Sequence, residues 1–84
     1  MILRITSATY LEDYRLRLEF SDGSIKEVDL HQDLLGEVFE PLKDLELFKQ
    51  VALNPVSGTI EWPNGADFAP EHLYAIGKDI KKIA

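Results

Sequence analysis

Tyr14-Arg15-Leu16-Arg17-Leu18-Glu19-Phe20, followed at once by Ser21-Asp22-Gly23-Ser24, decides the fold class of this chain. Apolar or aromatic residues alternate with charged ones for seven positions, the pattern of a strand with one face buried and one in water. Asp22-Gly23 offers the two positive φ angles of a type I′ hairpin turn. Ile25 to Leu30 then reads as the returning strand, with Val28 and Leu30 inward. Upstream, Ile2 to Leu11 is rich in β-branched and aromatic residues and closes on a turn at Glu12-Asp13. Together these runs make a three-strand antiparallel meander.

Beyond the meander the period lengthens. Leu34, Leu35, Val38, Phe39, Leu42, Leu45 and Phe48 fall at helical steps interrupted by Gly36 and Pro41, which predicts two short helices between His31 and Val51. Asp44 is placed to cap the second, with Glu46 in its first turn, where the helix dipole favours an acid. Val51 to Asn54 and Thr59 to Trp62 read as a second hairpin around Pro55-Val56-Ser57-Gly58. After a turn at Pro63-Asn64-Gly65, Pro70 opens a last helix running through Ile80. Ala69, its N-cap, has no side-chain acceptor, which leaves the exposed amides to Asp67 or Glu71. The expected fold is α+β: a small antiparallel sheet, as a three-strand meander plus a second hairpin, with two or three short helices in a single domain over residues 1–84.

Eighty-four residues hold one modest core. An apolar share of 45% against 29% charged residues is that of a globular chain and argues against wholesale disorder. No cysteine is present, which excludes a disulfide framework and thiol nucleophiles and suits a reducing cytoplasm. Neither a signal-peptide core nor an apolar span of membrane length appears. Fifteen acidic against nine basic residues give a net charge of −6, a poor match for nucleic acid or anionic lipid. That charge is localised. Residues 27–46 hold Glu27, Asp29, Asp33, Glu37, Glu40, Asp44 and Glu46 against Lys43 alone, whereas the flanking segments balance. Such a stretch serves either as a solvated face or as a docking surface for a basic partner. Lys78, Lys81 and Lys82, at the end of the last helix, are too few for a nucleic-acid stripe.

Asp29-x-His31-x-Asp33 sets three metal-ligating side chains at every second position, so an extended backbone would aim them to one side. A metal-dependent enzyme using Asp29, His31 and Asp33 is the alternative function, set against a strand end followed by a polar helix start. Glu71-His72 with Asp67 is a weaker cluster of the same kind. None of the four serines sits in a Gly-x-Ser-x-Gly elbow, and the five glycines are scattered singly, so no phosphate-cradling loop appears. No cofactor is implied. Trp62-Pro63-Asn64-Gly65 is the most unusual local run: a rigid turn beside an aromatic that serves either the core or a partner.

The runs Tyr14-x-Leu16-x-Leu18-x-Phe20-x-Asp22-Gly23, Val28-Asp29-Leu30, Phe39-x-Pro41-Leu42-x-Asp44-x-x-x-Phe48 and Gly58-Thr59-Ile60-x-Trp62-Pro63-Asn64-Gly65-x-Asp67-Phe68-x-Pro70-Glu71-x-Leu73-Tyr74 stand in one order. In that order the chain resembles the small prokaryotic family known as domain of unknown function 2442. The resemblance implies an α+β domain, similar to the N-terminal domain of a Nitrosomonas protein in which a helix-turn-helix domain follows. It implies no catalytic residues. It also implies a neighbouring gene for another small protein, as in toxin–antitoxin pairs. The reading that follows is a cytoplasmic, non-enzymatic interaction or regulatory module, the antitoxin-like half of a pair. Its expected partner is a basic protein encoded nearby, bound through Asp33, Glu37, Glu40, Asp44, Trp62, Asn64 and Asp67. Unpaired edge strands are also compatible with a homodimer.

Overall fold

A computed structural model of the chain describes residues 2–80. β1 (Ile5–Tyr10), β2 (Arg15–Phe20) and β3 (Ile25–Asp29) form the expected meander, antiparallel throughout. Leu16, Leu18 and Phe20 point into the core while Arg17 and Glu19 face water, so the alternation in the sequence is the alternation of the strand. The β1–β2 turn places Asp13 at φ +50, a left-handed conformation that Asp tolerates. The β2–β3 turn differs from the expected type I′. Only Gly23 has positive φ, at +90. The Gly23 amide donates to Phe20 O at 2.9 Å, and the Phe20 amide to Ser24 O at 2.9 Å. This is the three-residue loop in which one left-handed glycine follows an ordinary turn.

The next stretch holds less regular helix than its spacing predicts. Two 3-10 turns, His31–Asp33 and Glu40–Lys43, precede a single four-residue helix α1 (Leu45–Phe48). Gly36, at φ +91, and Pro41 interrupt the run before any longer helix can propagate. Asp44 caps α1 as expected, accepting from the Glu46 amide at 3.0 Å. β4 (Ala52–Asn54) and β5 (Thr59–Glu61) then form the second hairpin.

α2 (Pro70–Ile76) begins where Pro70 predicts and stops four residues short of the expected end. No side chain caps it, so neither Asp67 nor Glu71 takes the role expected of it. Gly77 leaves the helix in extended conformation, and β6 (Lys78–Asp79) pairs antiparallel with the outer edge of β3. The sheet order is β1-β2-β3-β6. Lys78 is therefore in a strand rather than at a helix end, and Lys81 and Lys82 lie outside the described residues. β6 is held by Lys26, whose side chain is buried beneath it. The ammonium of Lys26 pairs with Asp79 at 3.0 Å and lies 4.2 Å from the centre of the Tyr74 ring.

The core lies on the Leu16, Leu18, Val28 and Leu30 face of the sheet. Leu34, Leu42, Phe48, Ile60, Trp62, Ala66, Phe68 and Leu73 close it from the other elements. Burying each such leucine contributes about 1.5–3 kcal/mol. Phe48 is the hub: its ring meets Tyr10 at 6.1 Å, Tyr14 at 5.3 Å and Trp62 at 5.5 Å between centroids. Among the described residues, no helix is long and apolar enough to cross a membrane.

Candidate functional site

The acidic stretch begins where β3 ends. Asp29 Oδ1 accepts the His31 amide at 3.0 Å and turns the chain out of the strand. Leu30 anchors that corner, buried, with its amide on Tyr14 O at 2.9 Å. The strand-to-turn change at Leu30 breaks the every-second-residue alternation on which a metal site would depend. Asp29 is occupied with the backbone, the His31 ring stacks on Tyr14 at 5.0 Å, and Asp33 turns to His72 Nε2 at 2.5 Å. The three side chains do not converge. Among the described residues no group of three His, Cys, Asp or Glu side chains is arranged to hold a metal ion. The Asp67, Glu71 and His72 cluster is not assembled either, since His72 is drawn to Asp33.

Residues 34–44 form a loop pinned from several sides. Leu34 and Leu42 are its buried feet. Gly36 O accepts the amides of Phe39 and Glu40 at 3.1 and 2.8 Å, which folds the loop back on itself. Phe39 stacks on Phe68 at 4.7 Å, and Tyr14 Oη donates to Lys43 O. From the far side, Asn64 Nδ2 donates to Val38 O at 2.9 Å while its Oδ1 accepts the Ala66 amide at 3.1 Å. The turn after Trp62 is thereby a brace for the acidic loop. So held, the loop carries two apolar side chains in water: Leu35 is 66% exposed and Val38 49%. Helical spacing predicts both within short helices between His31 and Val51. Gly36 between them, at φ +91, is one of the two interruptions that keep a helix from running through both.

Of the acids in this stretch, several are already partnered. Glu27 lies 3.8 Å from Arg15, Glu40 pairs with Lys43 at 3.0 Å, and Glu46 with Lys49 at 3.5 Å. Asp44 serves the α1 cap. The exposed Glu37 makes no side-chain hydrogen bond or ion pair among the described residues. The structure thus brings Asp33, Glu37, Glu40, Asp44 and Asn64 onto or against one loop. Asp67 is exposed and joined through its backbone to Glu61, with no hydrogen bond or ion pair to that loop among the described residues. Trp62 is a core residue, 3% exposed, with Nε1 donating to Phe48 O at 2.8 Å.

No curated protein and no solved structure matches the chain. A family model described as protein of unknown function (DUF2442) matches residues 5–79. Those limits coincide with the first residue of β1 and the last of β6, so the match spans the whole four-stranded sheet and everything threaded through it. The resemblance read from the hairpin, the acidic loop and the Trp-Pro-Asn-Gly turn holds across nearly all of the chain, which belongs to the DUF2442 family.

Proposed function

We propose that the chain is a non-enzymatic, cytoplasmic interaction module that docks a basic protein partner through the 33–40 loop. The observation that carries this reading is the exposure of Leu35 and Val38 on a loop pinned by Asn64 and Phe39. Two apolar side chains held in water cost little to dock, because the loop gives up little conformational freedom on binding. Glu37 and Glu40 beside them supply a rim of the sign that attracts and orients a cationic surface. The partner this selects has an apolar pocket bordered by lysine or arginine, and the family resemblance implies a neighbouring gene as its source.

The test expresses the gene, untagged, with its native neighbours and purifies the product. A basic protein should be recovered in stoichiometric amount. Leu35→Asp and the double change Glu37→Lys/Glu40→Lys should each weaken the complex at least about tenfold, as loss of a central anchor does. Glu19→Lys, on the water-facing side of the sheet, should leave it intact. Recovery of no second protein, or a complex equally tight with all four sequences, overturns the proposal.

A further inference from the structure

The two edges of the four-stranded sheet are built differently. β6, at one edge, is two residues long, and both Lys78 and Asp79 are charged and exposed. Short length and charge are what keep a strand edge from pairing with another chain. β1, at the other edge, is six residues long, and Ile5 to Leu11 carries no charged residue and no proline. Both strands of the β4–β5 hairpin pack against β1, and among the described residues the hairpin makes one backbone hydrogen bond to it, from the Ile5 amide to Gly58 O at 2.8 Å. Beyond it, among the described residues, Thr6 to Tyr10 has no backbone partner on its outer side. The direction of the free groups follows from the register. Leu11 N–H bonds Arg15 O, so by antiparallel alternation Ser7 and Thr9 face β2, while the amides and carbonyls of Ala8 and Tyr10 point away from the sheet.

From this edge we infer that β1 pairs antiparallel with β1 of a second copy of the chain, joining two four-stranded sheets into one. The occupant is fixed by charge. A two-fold axis sets the strand against itself, where any charged side chain would meet its own kind. An uncharged strand avoids that repulsion, whereas it offers nothing to draw a charged partner to this edge. With the axis at Thr9, Ala8 and Tyr10 of each copy exchange backbone hydrogen bonds with Tyr10 and Ala8 of the other. Thr9 then faces Thr9 on the exposed side, a favourable cross-strand pair. An edge of this length buries less than a standard interface, so the dimer is weak, with Kd roughly micromolar or above. The surface is separate from the 33–40 loop, and neither reading depends on the other.

Sedimentation equilibrium of the full chain, from about 10 µM to about 1 mM, should show the mass rising toward twice that of one chain. Over the same range, hydrogen exchange at the Ala8 and Tyr10 amides should slow with concentration. Thr9→Lys sets two ammonium groups opposite each other, with Arg17 alongside, and should raise Kd at least about tenfold. Thr9→Val, which keeps the backbone pairing, should leave the dimer in place. Circular dichroism checks that both variants fold. A wild-type chain that stays monomeric to the top of the range, or a dimer whose Ala8 and Tyr10 amides exchange independently of concentration, overturns the inference.

Discussion

Asp22 shows how much a single turn residue organises. Its Oδ1 accepts the Ser24 amide at 2.9 Å inside the β2–β3 turn, and its Oδ2 accepts the Tyr74 hydroxyl at 2.7 Å from α2. The Tyr74 hydrogen bond, and after it the Ser24 amide, hold its carboxyl below the ordinary value of 3.8. A carboxyl whose folded pKa is depressed stabilises the fold fully above its ordinary pKa and loses that contribution as pH falls through the lowered value. The melting-temperature difference between wild type and Asp22→Ala should therefore be constant from about pH 7 down to about pH 5, then shrink below about pH 4. Thermal melts over that range test it, and an NMR titration of the Asp22 carboxyl gives the midpoint directly. Reading Asp22 as a turn residue was within reach of the sequence, because Asp-Gly before a returning strand is a local signal. The bond to Tyr74 spans 52 positions, and nothing local announces it.

At the scale of elements, what was legible is what has a period. β2 and β3 alternate, and the meander follows from that alternation. The 31–44 stretch has apolar residues at helical spacing, yet Gly36 and Pro41 divide it into lengths too short to sustain helix, and tertiary anchors decided its course instead. β6 was hidden because two residues carry no pattern. Its place depends on Lys26, inward on β3 by alternation yet charged, which is stable there only because Asp79 and Tyr74 receive it. The candidate site was half legible: its acids were visible as a charge run, but the exposure of Leu35 and Val38 depends on the loop that stands where short helices were expected.

The glycines separate turn geometry from packing. Gly36, at φ +91, has open space where a Cβ would project, so Gly36→Ala should cost about 1–2 kcal/mol from backbone conformation alone. Gly58, at φ +75, would place a Cβ 2.7 Å from Arg4 Cζ, in the side chain that clamps Pro55 O at 2.6 Å. Gly58→Ala should cost roughly 1 kcal/mol more than Gly36→Ala, for the hydrogen bonds displaced. That excess should vanish in an Arg4→Ala background, a comparison that urea denaturation resolves.

For the molecule as a whole, the net charge of −6 arises from the stretch 27–46, and the fold divides the acids of that stretch between the sheet and the 33–40 loop. The water-facing side of the sheet sets Arg17 beside Glu27 and Glu27 beside Lys78, so signs alternate across the strands. Of the acids between residues 27 and 46, Glu27 lies on that face, whereas Asp33, Glu37 and Glu40 belong to the 33–40 loop. If that loop recruits a basic protein, the association rate should fall roughly tenfold between about 50 and about 500 mM salt while the dissociation rate changes little, since screening weakens steering more than a desolvated contact. Stopped-flow mixing at several salt concentrations measures both rates. Trp62, the one tryptophan of the chain, gives such experiments a built-in gauge. Its indole is enclosed between Phe48 and Phe68 and its N–H is satisfied by a backbone carbonyl. Its emission should accordingly be blue-shifted in the native protein and move to the red only when the core opens. Fluorescence can thus time the opening of the core in an unlabelled sample, and because Phe68 lies between the indole and Phe39, it reads the core at the point where the acidic loop is anchored to it.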